Sequence, residues 1–450
     1  MDPAIGELEH CDLLVIDNKI EAIERNIFVD DAEIIDATDK VVIPGLINAH
    51  IHTWETSLRG IGGDWVSVRD YQVNIHGNLA PCYGPEDNYI GNYIGALTQL
   101  DGGTTTIFDW CHNLVLPEMA DRSIDALEEI GIRAVFGFAA AKAPNEPGQP
   151  HYSEIPQPAD EIKRLRHGRL ASDDALITMA MGILGPDWGT YDVSVQDITL
   201  ARELGLITSA HTWGRSPRKE EDGMYRLAKA GLLGPDHNIV HGCFLDDEEL
   251  KMCVDEGCTF SCTSRHEILN STMMPLCGRL EDLGATPSLG SDIDIAMCDP
   301  MLSVLRTAFL TQRQKDSSTA FAGGEWPISK HKTKMRTALN WATMGGAKVL
   351  RLDHKIGSLT PGKLADIVII NSTNLGIYPA APLGDPVQSV FYAESADVET
   401  VIVDGRLMKA DGKLQVSDDT IKEKQKLLFQ SRQKIMEAGN FDYSEIRKRI

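Results

Sequence analysis

Val41-Val42-Ile43-Pro44-Gly45-Leu46-Ile47-Asn48-Ala49-His50-Ile51-His52 is an apolar run that ends in two histidines two residues apart. In an extended chain, residues i and i+2 share one face. Both imidazoles therefore point to the same side of a strand end, where they can grip one metal ion. A lone His-x-His also arises by chance, so its weight depends on whether later strands bring further ligands.

They do. Working outward, apolar strand-like runs alternate with helical segments along most of the chain. Strands are expected at 42–48, 104–109, 133–139, 176–183, 207–211, 238–242, 259–263 and 286–291, with helices near 119–130, 197–204, 220–231, 246–256 and 300–314. Eight strands with helices between them argue for a (β/α)8 barrel, in which residues at the C-terminal strand ends face the active site. His211 closes the fifth run, His241 the sixth and Asp292 the eighth. Each has a bland alternative as a hydrogen-bonded structural residue or a turn. Together with His50 and His52 they form an ordered set at strand ends.

The two ends of the chain read differently. Short alternating runs at 11–35, and again at 366–370 and 400–406 with an Asp404-Gly405 hairpin turn, suggest a small β unit built from both termini. The expected organisation is a β-sandwich from 1–43 and 352–415, a barrel over 44–351 and a C-terminal helix over 416–450. That helix is charged, and is read as solvated or at a dimer edge.

Composition limits the function. The formal net charge of −23 disfavours nucleic acid and anionic membranes as partners. No run of 18 apolar residues suggests a membrane span, and the first residues do not resemble a signal peptide. The nine cysteines include no C-x-x-C pair and sit mostly in apolar segments. They are read as reduced core thiols of a cytoplasmic protein.

The words Ile43-Pro44-Gly45-Leu46-Ile47-Asn48-Ala49-His50-Ile51-His52, Gly102-Gly103-Thr104-Thr105-Thr106, Val240-His241-Gly242, Ser288-Leu289-Gly290-Ser291-Asp292 and the closing run 356–368 occur in one order across roughly residues 10–412. In these words the chain resembles the amidohydrolase superfamily, most closely its cytosine-deaminase-like, guanine-deaminase-like and triazine-hydrolase-like branch. The resemblance implies a metal-dependent hydrolase on a distorted (β/α)8 TIM barrel with a small β-sandwich. It carries His50, His52, His211 and Asp292 over as metal ligands. It makes His241 a contact to the reacting water or substrate. Asp292, ligated or adjacent, can also take the water's proton. Some relatives bridge two metals through a lysine or carboxylate at the fourth strand. Here that strand reads Leu176-Ile177-Thr178-Met179-Ala180-Met181-Gly182-Ile183, with neither. One divalent metal is therefore expected. Three nitrogens and a carboxylate suit zinc, with iron or manganese as alternatives.

The chemistry expected of such a set is attack by metal-bound hydroxide on a non-peptide C–N bond of a small cyclic or aromatic compound. The alternatives within this class are deamination of a heterocycle and displacement of another ring substituent, such as a halide. A non-catalytic barrel scaffold is the alternative of a different class. Two departures from the resemblance bear on the choice. Many deaminases of the branch carry a glutamate about three residues after the fifth-strand histidine, where this chain has His211-Thr212-Trp213-Gly214. The seventh strand end reads Cys262-Thr263-Ser264-Arg265-His266-Glu267, so Glu267, or alternatively His266, is expected to stand in as proton shuttle. Trp54, Trp110, His112, Trp188 and Trp213 follow strand ends and are expected to wall a flat pocket. Residues 60–65 read as a flexible loop. By family habit the protein is expected to be a homo-oligomer, a dimer or tetramer, acting on a small molecule.

Overall fold

The structure is a computed structural model. It describes residues 2–65, 67–141, 148–269, 274–297, 300–442 and 444. The opening run of the sequence is not one strand but two. β1 (Asp12–Ile16) and β2 (Lys19–Glu24) form a hairpin, followed by β3 (Val41–Pro44) and β4 (Leu46–Ile51). The break falls at Gly45, where a Cβ would lie 2.0 Å from Thr105 Oγ1. No side chain fits there, and the chain turns from one sheet into another. The Gly45 N–H donates to Asp366 O at 2.9 Å in the first sheet, and the Leu46 N–H to Gly103 O at 3.1 Å in the second.

The second sheet is the barrel. Its strands are β4, β5 (Thr104–Leu114), β6 (Arg133–Ala140), β7 (Ile177–Ile183), β8 (Thr208–Thr212), β9 (His237–His241), β10 (Thr259–Cys262) and β11 (Ser288–Leu289). They pair in chain order, and every pairing is parallel. A single parallel bridge from Ile51 to Asp292 joins the last strand to the first. Register shifts between β4 and β5 and between β5 and β6 distort the barrel. All eight expected strands are present. The last is shorter than expected, because the chain turns towards His50 at Gly290, where a Cβ would lie 2.6 Å from His50 O.

β3 joins β12 (Ile367–Ile370), β13 (Val398–Val403), β14 (Arg406–Ala410) and β15 (Lys413–Leu414) in an antiparallel sheet. Asp404 and Gly405, both at positive φ, make the turn between β13 and β14, as a two-residue hairpin requires. Ile20 of the first hairpin packs with Ala365, Ile367 and Ile402 in a small core of its own. The Arg133 guanidinium at the start of β6 bridges Asp366 and Asp404, at 3.0 and 2.9 Å. It ties the floor of the barrel to the antiparallel sheet.

The helix Asp418–Ala438 is not a purely solvated one. Ile435 is fully buried, Arg432 Nη1 donates to Arg59 O at 2.7 Å, and the Ser431 and Ser57 hydroxyls lie 3.2 Å apart. The helix thus braces the segment that follows β4. Of the expected 416–450 unit, residues 443 and 445–450 lie outside the described residues. Among the described residues no helix is long and apolar enough to cross a membrane, and the described cysteines are all free.

Candidate active site

The strand ends bring His50, His52, His211 and Asp292 together. One ligand atom from each lies within 4.8 Å of all the others. Asp292 Oδ1 stands 3.3 Å from His50 Nε2 and 3.5 Å from His52 Nε2. His52 Nδ1 lies 2.6 Å from Trp110 O, which can only accept, so the ring proton sits on Nδ1. The Nε2 lone pair of His52 therefore faces inward, 3.3 Å from His211 Nε2. Neither ring nitrogen of His50 makes a hydrogen bond, although the ring is fully buried. Burial drives its pKa down to about 3, so the ring is neutral at ordinary pH. Crowded nitrogens with inward lone pairs beside a carboxylate are costly without a cation to share. The donor set fits a divalent metal, and the orienting carbonyl behind His52 is typical of such sites.

The other oxygen of Asp292 faces a different group. Oδ2 lies 3.6 Å from His266 Nε2, 3.9 Å from His241 Nε2, and accepts from Thr263 Oγ1 at 3.4 Å. Burial opposes its ionisation, but the surrounding histidines outweigh burial and hold its pKa well below the usual carboxylate range. His241 and Asp292 both adopt positive φ, at 71° and 67°. Such backbone conformations are unfavourable outside glycine and cluster at functional sites. Burial tends to lower the pKa of His241. The Glu267 carboxylate 3.5 Å from its Nδ1, together with Asp292, reverses that and leaves it raised.

A cavity of about 250 Å³ opens above this cluster. Of the expected wall residues, His112, Trp188 and Trp213 line it. Trp213 lies over His241 with ring centroids 4.8 Å apart. Trp54 and Trp110 do not. Trp54 is fully buried, edge-on to Tyr83. Trp110 packs behind the cluster, 4.4 Å from the His211 ring. Both strand ends run on into helix or further strand, so these indoles turn into the core. Glu267 is also placed differently from expectation. It is fully buried and absent from the wall, and it accepts from the Thr263 N–H at 2.8 Å. A helical turn at Ser264–Leu269 points it back towards His241, whereas His266 points into the cavity.

The cavity's other wall comes from the end of the expected 60–65 loop and from the segment after it, for which no site residue is expected from the sequence. Trp65, Tyr71 and His76 line the cavity. A wide π-type turn over Gln72–Leu79 brings positions 71 and 76 together, with ring centroids 5.2 Å apart. The aromatic spacing Trp65, Tyr71, His76 was the available signal, but it follows neither a helical nor a strand period. Such π turns are frequent at functional sites. The segment is anchored at its base by Arg59, whose guanidinium lies 2.7 Å from Asp294, two residues beyond Asp292.

A parallel barrel with a three-histidine, one-aspartate cluster at its C-terminal strand ends defines a metal-dependent hydrolase. The profile of the amidohydrolase family matches residues 41–408, and the chain belongs to that family. Among its relatives, the 5-methylthioadenosine/S-adenosylhomocysteine deaminase of Thermococcus kodakarensis is 28% identical over 416 residues, 89% of this chain and 90% of the relative. The 5'-deoxyadenosine deaminase of Methanothermobacter thermautotrophicus is 27% identical over 429 residues, 92% of each. Of solved structures, a zinc-bound adenosine deaminase from Xanthomonas campestris superposes with a TM-score of 0.76 at 22% identity, covering 95% of this chain and 94% of that one. The zinc complex of atrazine chlorohydrolase from Arthrobacter aurescens gives 0.78 at 20% identity, covering 95% and 97%. At these identities the structural matches speak for the fold.

Proposed function

We propose that the chain is a mononuclear, zinc-dependent enzyme that hydrolyses an exocyclic C–N bond of a neutral, planar heteroaromatic compound. The observation that carries this is the cavity wall. Among the described residues it contains no lysine, arginine or glutamate, and Asp292 is its one acid. Trp188, Trp213, Tyr71 and Tyr152 give it flat faces, with imidazoles as the polar groups. Such a wall favours an uncharged ring over a substrate with a carboxylate or phosphate. The relatives named for deaminating adenosine derivatives support an aminated heterocycle.

His50, His52, His211 and Asp292 Oδ1 would hold the metal, and β7 offers no carboxylate or lysine to bridge a second. A divalent metal so held supplies a water with a pKa of about 7 and an electrophilic polarisation of the attacked group. Asp292 Oδ2, turned away from His50 and His52, can take a proton from the attacking water and pass it on. His266 Nε2, 3.6 Å from that oxygen and facing the cavity, can relay it to the leaving amine. His241 Nε2 stands where it can polarise the attacked carbon's substituent, and Thr263 and Glu267 behind it fix its orientation.

The missing glutamate after His211 favours a second reading, displacement of a ring substituent other than an amine. Zinc-loaded protein incubated with aminated purines, pyrimidines and triazines tests the choice. Release of ammonia or an alkylamine supports C–N hydrolysis, whereas halide release from chlorinated analogues alone supports the second reading. No turnover of any of these, with the metal bound, supports a scaffold. The reading includes a cytoplasmic setting. It also includes a dimer or tetramer, and light scattering in solution decides between these and a monomer.

A further inference from the structure

Four side chains beside the cavity form one directed line of hydrogen bonds. The Trp54 indole can only donate, and its Nε1–H lies 3.0 Å from His112 Nδ1. In the neutral imidazole the proton is then on Nε2, which lies 3.2 Å from the Tyr71 hydroxyl oxygen. The Tyr71 O–H in turn donates to Glu55 Oε1 at 2.6 Å. Every proton in the line points from Trp54 towards Glu55. Glu55 is fully buried, and its Oε2 has no hydrogen-bond partner. Oε1 accepts from Tyr71 whichever protonation state the carboxyl adopts, because a proton on Oε2 leaves Oε1 an acceptor. Tyr71 has thus spent its proton on Glu55 and one lone pair on His112. What its oxygen has left is an acceptor position, and Tyr71 and His112 line the cavity. The His112 ring stacks on His52 at 4.0 Å, so this acceptor lies next to the candidate metal cluster.

We propose that the Tyr71 hydroxyl oxygen recognises an N–H donor on the substrate's ring edge, with Glu55 as the residue that positions it. This rests on the reading of the cavity as a heteroaromatic site and narrows it to compounds bearing an amino or ring N–H group. A glutamate at position 214 would meet a substrate as a charged acid. Tyr71 presents a neutral, fixed acceptor instead, and fixed donor–acceptor pairing in a closed pocket discriminates strongly against analogues that lack the group.

The test uses isosteric probe pairs that exchange NH2 for CH3: adenine against 6-methylpurine, and 2-amino- against 2-methyl-1,3,5-triazine. Binding to the zinc-loaded chain is read from tryptophan fluorescence at short contact times, since Trp188 and Trp213 line the cavity. The wild-type chain should bind the amino member of at least one pair about tenfold more tightly, as one well-made hydrogen bond allows. Tyr71→Phe should bring the two members within about twofold by weakening the amino compound alone. Glu55→Gln, whose amide oxygen still accepts from Tyr71, should keep the preference. Glu55→Leu should lose it, because the Tyr71 proton is then free to face the cavity. Metal content and melting temperature of Tyr71→Phe should match the wild type. A tenfold preference that survives in Tyr71→Phe overturns the role of Tyr71 and leaves the heteroaromatic reading intact. Failure of the wild-type chain to bind any of the four probes overturns that reading, and this proposal with it.

Discussion

The Nδ1–H of His52 donates to the carbonyl oxygen of Trp110 at 2.6 Å, and this contact turns the Nε2 lone pair into the strand-end cluster. Because the carbonyl belongs to β5, the neighbouring strand fixes the tautomer of a residue at the end of β4. The His50 nitrogens, without hydrogen bonds of their own, complete a site built for a cation. Elemental analysis of protein made without a histidine tag should find about one equivalent of zinc per chain. His211→Ala should lose most of it while keeping the same circular dichroism spectrum. Two equivalents, or full retention in His211→Ala, would remove the single four-ligand site.

The two candidates for the proton shuttle, His266 and Glu267, are adjacent in sequence yet face opposite ways. His266 Nε2 reaches to 3.6 Å from Asp292 Oδ2 at the cavity wall. Glu267 is sealed behind His241, where it accepts from the Thr263 N–H. His266→Gln should therefore keep the metal and lower turnover by about 10²- to 10⁴-fold. Glu267→Gln acts only through the orientation of His241 and should cost about tenfold. Steady-state kinetics on metal-matched variants compare them, and the reverse order would put Glu267 back among the reacting groups.

Much of this site is legible in the sequence. His50, His52, His211, His241 and Asp292 stand out because a barrel strand is an apolar run whose C-terminal end must carry whatever is polar and functional. What failed to show were choices made by packing. Pro44-Gly45 is a turn signal at the expected boundary of the two units, yet one strand is expected to run through it over 42–48, because the packing against Thr105 that breaks it is distant in sequence. Trp54 and Trp110 read like Trp213, and only the continuation of the chain beyond each strand turns them into the core. The Tyr71 wall was hidden for a different reason. A π-type turn has a period that neither helix nor strand patterns test, so Tyr71 and His76 look unrelated in sequence.

Restoring the glutamate missing after His211 is an obvious experiment, and the structure predicts its failure. Gly214 sits at φ +80°, and a Cβ there would lie 2.5 Å from Leu245 N. A backbone atom cannot yield as a flexible side-chain end would. The neighbouring N–H groups of Trp213 and Gly214 both donate to Asp187 Oδ2, at 2.8 and 3.0 Å, which holds the turn in place. Gly214→Glu should lower the melting temperature by several degrees, about 1–2 kcal/mol coming from the left-handed conformation alone, without raising turnover of any aminated heterocycle. A stable variant with faster deamination would show that the turn relaxes.

Asp197 offers a pH-dependent prediction away from the metal cluster. It lies in the helix Tyr191–Glu203 and accepts from the Gln157 N–H at 2.8 Å. Gln157 Oε1 in turn accepts from the Ala140 N–H at the end of β6. Burial pushes the Asp197 carboxyl up to about 7, only partly offset by the hydrogen bond from Gln157. In the unfolded chain the same group titrates near its ordinary value of about 4. Below about pH 4 both states hold the proton and the group costs nothing. Between about pH 4 and 7 the unfolded chain loses a proton that the folded chain retains. Stability therefore falls as pH rises through this window, and the whole penalty stands above about pH 7. Asp197→Asn keeps an oxygen to accept from Gln157 and removes the titration. Its melting temperature should exceed that of the wild type by a few degrees at pH 8, and the gain should shrink towards zero at pH 4.5. Calorimetry at the two pH values decides it: an equal shift at both would mean that the substitution acts through packing, and that Asp197 is ionised in the fold as readily as in the unfolded chain.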